Sequence, residues 1–108
     1  MPTPLNSLTN VTVKLKANVY FDGGVISHTV LGTDKIRRTI GVIRPGRYHF
    51  TTDAPELMDI ISGSCRVQRK GDKEPTVYKE GESFRVDGQS AFDIEVKEGL
   101  TEYLCTFE

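Results

Sequence analysis

The chain has no tryptophan, two cysteines and two histidines among its 108 residues. No apolar run approaches the ~20 residues that a membrane-crossing helix needs, so no membrane partner is expected. A sustained 3.6-residue apolar period is also missing, which predicts little or no helix. Fourteen basic and fifteen acidic side chains leave a formal charge of -1. That balance lacks the basic face of a general nucleic-acid binder but leaves room for a small basic pocket that takes a phosphate. The opening stretch MPTPLNSLTN has no charged-then-apolar pattern, so no secretory leader is expected. Cys65 and Cys105 lie far apart and read as small buried hydrophobes in a reducing, cytoplasmic setting rather than as a disulfide.

What is present is a succession of short strands in a chain of single-domain length. Residues 1–10, with two prolines and five Ser, Thr or Asn residues, read as a flexible lead-in, and residues 11–108 as the folded domain. Val11, Val13, Leu15, Ala17 and Val19 alternate with polar neighbours, which predicts one half-buried strand over Val11–Val19. Strands are expected at Val25–Leu31, Ile36–Ile43, Tyr48–Thr52, Met58–Ser62, Cys65–Arg69, Thr76–Lys79, Ser83–Val86, Ser90–Val96 and Leu100–Phe107. Turn signals such as Pro45-Gly46 and Asp87-Gly88 separate them. This spacing predicts an all-β sandwich or barrel.

Two stretches carry a more specific signal. The first, GVIRPGRYHFTTDAPELMDIISG, places six residues between Glu56 and Gly63. The second, GESFRVDGQSAFDIEV, begins at Gly81. In order and spacing they resemble the two motifs of the cupin jelly-roll barrel. Cupin motifs carry metal-binding histidines, and here those positions hold Phe92 and, depending on the gap before Glu56, either Phe50 and Thr52 or His49 and Thr51. A borderline divalent metal takes three or more protein ligands, usually imidazole or carboxylate. Only Glu56 and at most His49 qualify, so no metal and no cofactor are expected. His49 reads as an exposed strand residue, with Tyr48 and Phe50 pointing the other way. His28 is left open between wall and cavity.

Within the cupins the chain resembles the short pyrimidine/purine nucleoside phosphorylases. The residues that carry this are Asn18, Tyr20-Phe21, Arg37, Gly41-Val42, Gly46-x-Tyr48-x-Phe50, Pro55-Glu56-x-Met58, Ile61-Ser62-Gly63, Glu80-Gly81-x-Ser83-Phe84-x-Val86, Gly88-x-Ser90-x-Phe92 and Tyr103-Leu104-Cys105. Asp87, where the family usually has proline, and a longer lead-in are departures. The resemblance implies a single cupin-type jelly-roll barrel that forms a homodimer. It also implies cleavage of many nucleosides with inorganic phosphate, to free base and ribose 1-phosphate.

The residue types suit that chemistry. Phosphorolysis passes through an oxocarbenium-like state, so the site must hold phosphate, ribose and leaving base in line. A guanidinium fork matches phosphate oxygens. Arg37 is the first candidate because it matches the family pattern. Thr39 shares its strand face, whereas Arg38 lies on the other. Glu56 is the candidate for the ribose hydroxyls, with Met58 on the same face. The alternative for Glu56 is a core ion pair with Arg37 or Arg38. Ser62 and Ser83 are weaker candidates. Tyr20, Phe50, Phe92 and Tyr103 can stack against any base, although core packing is the ordinary role of each taken alone. A cupin module that binds a sugar or nucleotide-like molecule without catalysis is the competing reading, and the missing histidines count against a metal-dependent oxygenase or isomerase.

Overall fold

The computed structural model describes residues 6–108. Eleven strands follow one another: β1 Thr12–Val13, β2 Asn18–Tyr20, β3 Val25–Leu31, β4 Arg37–Ile43, β5 Gly46–Thr51, β6 Glu56–Ser62, β7 Ser64–Arg69, β8 Thr76–Lys79, β9 Ser83–Val86, β10 Ala91–Val96 and β11 Thr101–Phe107. The helical content among the described residues is one 3-10 turn at Phe21–Gly23. The strands form two antiparallel sheets. The larger has the order β1-β3-β4-β11-β6-β9, with β2 also on β3, and the smaller has the order β5-β10-β7-β8. They face one another as a cupin-type jelly-roll, two opposed sheets rather than one continuous hydrogen-bonded ring.

Alternation drives this arrangement. In β10, Phe92, Ile94 and Val96 are buried at the interface while Asp93 and Glu95 point away. In β6, Met58 and Ile60 are buried and share the parity of Glu56. Ile43 from β4, Val67 from β7 and Val86 from β9 close the core. Each such aliphatic side chain contributes roughly 1.5–3 kcal/mol by leaving water.

The expected continuous strand over Val11–Val19 is replaced by two short ones. The chain bends between β1 and β2, and Val13, Leu15 and Val19 are exposed, Leu15 at 91%. Both strands pair with β3, at Leu31–Val30 and at Ser27–Val25. At this edge Tyr20 reaches the facing sheet, but the alternating Val13, Leu15 and Val19 have little to bury against. The expected lead-in falls partly on residues 1–5, which lie outside the described residues. Beyond them, Leu8 lies with Val11 and Val13 over Val30 and Leu104 on the outer face of the larger sheet.

Gly63, which ends the first motif, sits in the left-handed region at φ +80°, and a Cβ there would meet the Leu100 carbonyl oxygen at 2.4 Å. Gly63→Ala is expected to destabilise the fold by at least about 1–3 kcal/mol from the strained backbone alone. Thermal unfolding by circular dichroism checks this, with a midpoint lowered by roughly 4–8 °C per kcal/mol in a domain of this size.

Candidate functional site

A cavity of about 440 Å³ opens between the two sheets. Its two walls differ in chemistry. The larger sheet supplies the polar groups: Tyr20, Ser27, Arg37, Thr39, Glu56, Tyr103 and Cys105, together with Met58 and Phe107. From the smaller sheet come Phe50, Phe92 and Ile94, with Thr51 at the end of β5, a largely apolar face. All eight residues expected from the sequence, Arg37, Glu56, Tyr20, Thr39, Phe50, Met58, Phe92 and Tyr103, line this space. The volume is in the range of small-molecule sites.

The strand register explains the polar wall. Strand β11 lies between β4 and β6, with Cys105 opposite Thr39 on one side and opposite Met58 on the other. Inward-facing Tyr103, Cys105 and Phe107 therefore run up the middle, flanked by Arg37 and Thr39 on β4 and by Glu56 and Met58 on β6. Tyr103 can lie flat here because its cross-strand partner is Gly41, where a Cβ would fall 2.7 Å from the phenol oxygen. Burial, eased by a hydrogen bond with Ser27, pushes the Tyr103 phenol up to about 12, so it stays a neutral hydrogen-bonding group. Ser27 in turn accepts from the Asn18 amide at 3.2 Å.

Glu56 and Arg37 face the same cavity without pairing: neither makes an ion pair among the described residues. The core ion pair considered as an alternative is thus absent. Burial raises the Glu56 carboxyl above the usual carboxylate range, and a hydrogen bond from Cys105 and the Arg37 charge partly offset that. The Cys105 thiol donates to Glu56 Oε1 at 3.6 Å. The Arg37 guanidinium sits 4.1 Å above the centre of the Phe107 ring. Arg38 turns to the other face and is bound by Asp34 at 2.9 Å.

On the opposite wall Phe50 stacks on Phe92, with centroids 5.6 Å apart and planes at 23°, and Tyr20 meets Phe50 edge-on at 5.9 Å. Phe92 is buried, so it backs the platform while Phe50 and Tyr20 offer the more open faces. Asp53 and Ala54 close the rim. Their loop is tied down where Thr52 Oγ1 donates to the Asp87 carbonyl at 2.6 Å and Gln89 N donates to the Asp53 carbonyl at 3.0 Å.

Other expected positions lie elsewhere. His49 is on the outer face of the smaller sheet, 2.9 Å from Asp93, and His28 bonds the Lys14 carbonyl on the outer face of the larger one. Neither Ser62 nor Ser83 lines the cavity. Among the described residues, no three His, Cys, Asp or Glu side chains gather as a metal-binding set. The cavity also takes in Ser27 and Phe107, which the sequence does not single out, and Cys105, which it marks only as a buried hydrophobe within the family pattern. A strict reading of strand parity contains them, since Cys105 and Phe107 share the face of Tyr103.

Fold and cavity together define a cupin-type jelly-roll with a cavity between its two sheets. A pyrimidine/purine nucleoside phosphorylase family model matches residues 15–107. The chain belongs to that family. A protein of that name from Methylobacillus flagellatus is 54% identical over 99 residues, covering 92% of this chain and 95% of its own length. The solved structure of a protein of unknown function from Acinetobacter sp. ADP1 superposes with a TM-score of 0.91 at 44% identity, over 94% of this chain and 98% of that one. The Clostridium difficile EutQ protein shares the fold at a TM-score of 0.65 and 12% identity, over 77% of this chain and 66% of that one.

Proposed function

We propose that this protein is a broad-specificity pyrimidine/purine nucleoside phosphorylase that converts nucleoside and inorganic phosphate to free base and ribose 1-phosphate. The observation that carries the reading is that Arg37 and Glu56, neither of them in an ion pair among the described residues, share one wall of a cavity whose other wall is largely aromatic. Arg37 holds phosphate below C1′, with the Thr39 hydroxyl on the same strand face. Glu56 accepts hydrogen bonds from the ribose hydroxyls. Tyr20, Phe50 and Phe92, with Tyr103 across the cavity, bind the base by its faces. Stacking is indifferent to base identity, which suits a catalyst that takes purines and pyrimidines alike. Phosphate attacks C1′ as the C1′–N bond breaks, and the base leaves with the bonding electrons. Catalysis on this reading is positioning plus charge compensation, with no covalent enzyme intermediate.

Incubation with uridine or adenosine, with and without phosphate, tests the assignment. Phosphate-dependent release of free base with matching ribose 1-phosphate is expected. Binding of nucleoside without any base release would instead favour a non-catalytic binding module.

The same reading includes a homodimer. The short, interrupted edge strands β1 and β2 offer little for pairing between sheets. The outer face of the larger sheet is better suited, since Ile26 and Ile40 are exposed there beside Val42 and Ile61. Light scattering at micromolar concentration is expected to give twice the chain mass, and a monomeric mass refutes the dimer. Two free, buried cysteines fit a reducing cytoplasm as the place of action.

A further inference from the structure

Two opposite charges side by side in one cavity normally collapse onto each other, and here they do not. Strands β4 and β6 are separated only by β11, a gap of about 9–10 Å at two strand spacings. An arginine side chain covers most of that gap. Phe107 holds the strand position between the two residues: it is the cross-strand partner of Glu56, and the adjacent pairing of Thr106 with Arg38 sets Phe107 beside Arg37. The guanidinium lies over its ring at 4.1 Å, well inside cation–π range. On the carboxylate side the Cys105 thiol, from the same strand, holds Oε1 at 3.6 Å.

We propose that Phe107, seconded by Cys105, is a positioning residue that keeps Arg37 and Glu56 apart, so that each charge stays free for substrate. The inference rests on the roles given above to Arg37 and Glu56. The ring supplies the guanidinium with an attractive surface that is not an anion. It also fills the volume through which the guanidinium would otherwise reach the carboxylate. The remaining charged or titratable groups around the cavity are Asp53 on the rim loop, Tyr103 on β11 and Tyr20 on β2. From β9, Val86 faces Glu56 and Arg85 is engaged by Glu108. None of these is a second cation able to neutralise Glu56 in place of Arg37.

The test is the titration of the Glu56 carboxyl by carbon-13 NMR in substrate-free protein, with Glu56→Gln used to assign the signal. In Phe107→Leu, which keeps apolar bulk but removes the ring, the guanidinium falls onto Glu56. The carboxyl midpoint is then expected to drop by about one pH unit or more, as for a carboxylate in contact with arginine. The KM values for phosphate and nucleoside are expected to rise together by about tenfold, because the two anchors engage each other. Phe107→Tyr keeps the ring and is expected to match the wild type in both readouts. A folded Phe107→Leu protein with an unmoved Glu56 midpoint overturns the proposal, as does a Phe107→Tyr protein as impaired as Phe107→Leu.

If Phe107→Leu does not fold, Arg37→Gln in the wild-type background decides. Charges held apart across a wet cavity interact weakly, so the Glu56 midpoint is expected to move by less than about half a pH unit. A shift of a full unit or more means that the charges already touch and overturns the proposal. Absence of base release by the wild type would sink the phosphorylase reading alone, since the titration needs no turnover.

Discussion

Arg37→Ala is expected to raise the phosphate KM by ten- to a hundredfold while leaving nucleoside binding nearly intact. The guanidinium faces the cavity without an ion-pair partner and stacks on Phe107, so it is available to an anion. Loss of one charge-assisted contact to phosphate costs about 1.5–3 kcal/mol. At about 1.4 kcal/mol per factor of ten, that gives the stated range. Steady-state kinetics with phosphate as the varied substrate measure it. Arg38→Ala is the control: Arg38 lies on the opposite strand face, held by Asp34, and its loss is expected to change the phosphate KM less than twofold. A folded Arg37→Ala protein with normal phosphate dependence would move the phosphate to another cation.

Glu56→Gln is expected to act on the other substrate, raising the nucleoside KM and lowering kcat by about tenfold or more each, because a charged hydrogen-bond acceptor is lost. Its pH signature is separate. Burial raises the Glu56 carboxyl, and the Cys105 hydrogen bond and Arg37 only partly offset this. If the ionised form anchors ribose, wild-type kcat/KM falls on the acid side at a pH above the usual carboxylate range, and Glu56→Gln removes that limb. Stability moves the other way. The native state holds the Glu56 proton to higher pH than the unfolded chain does. The contribution of this group is therefore fully present below the unfolded value and is lost as pH rises through the folded one. Glu56→Gln is expected to flatten that decline in denaturant titrations run across the window. An unchanged acid limb in a folded Glu56→Gln protein would show that another group sets it.

Much of this site is written in strand parity. Val25–Leu31, Thr76–Lys79 and Ser83–Val86 are strands at the limits that their turn residues predict. Arg37 and Thr39 share one face and Arg38 takes the other because successive side chains in a strand alternate. The failure at Val11–Val19 has a physical cause. Alternation reports a two-faced strand only where a second layer covers the apolar face, and beyond β3 that face, with Val13, Leu15 and Val19, is exposed. Leu15 shows it most plainly. Sequence alone also gives no distance between Glu56 and Arg37. A lone carboxylate on an apolar face is costly unless paired or wet, which makes Arg37 or Arg38 its candidate partner from the sequence, and only the register of β4, β11 and β6 shows Phe107 set between the strands of Arg37 and Glu56. Cys105 reads from the sequence as a small buried hydrophobe, and nothing in the sequence singles out Ser27. Their significance comes from hydrogen bonds to Glu56 and Tyr103, which link residues far apart in the chain.

The division of the cavity between two sheets has a consequence for how such an enzyme diversifies. On the proposed reading the groups for phosphate and ribose come from β4 and β6, whereas Phe50, Phe92 and Ile94 come from β5 and β10 across the gap. Those strands share no backbone hydrogen bonds with the larger sheet. Substitutions at the half-buried Phe50 can therefore accumulate without disturbing the register that sets Arg37 and Glu56. Base preference is free to drift among descendants of this chain at Phe50, whereas Phe92 and Ile94 also hold the core, so a library at Phe50 samples substrate range at the least cost to the fold.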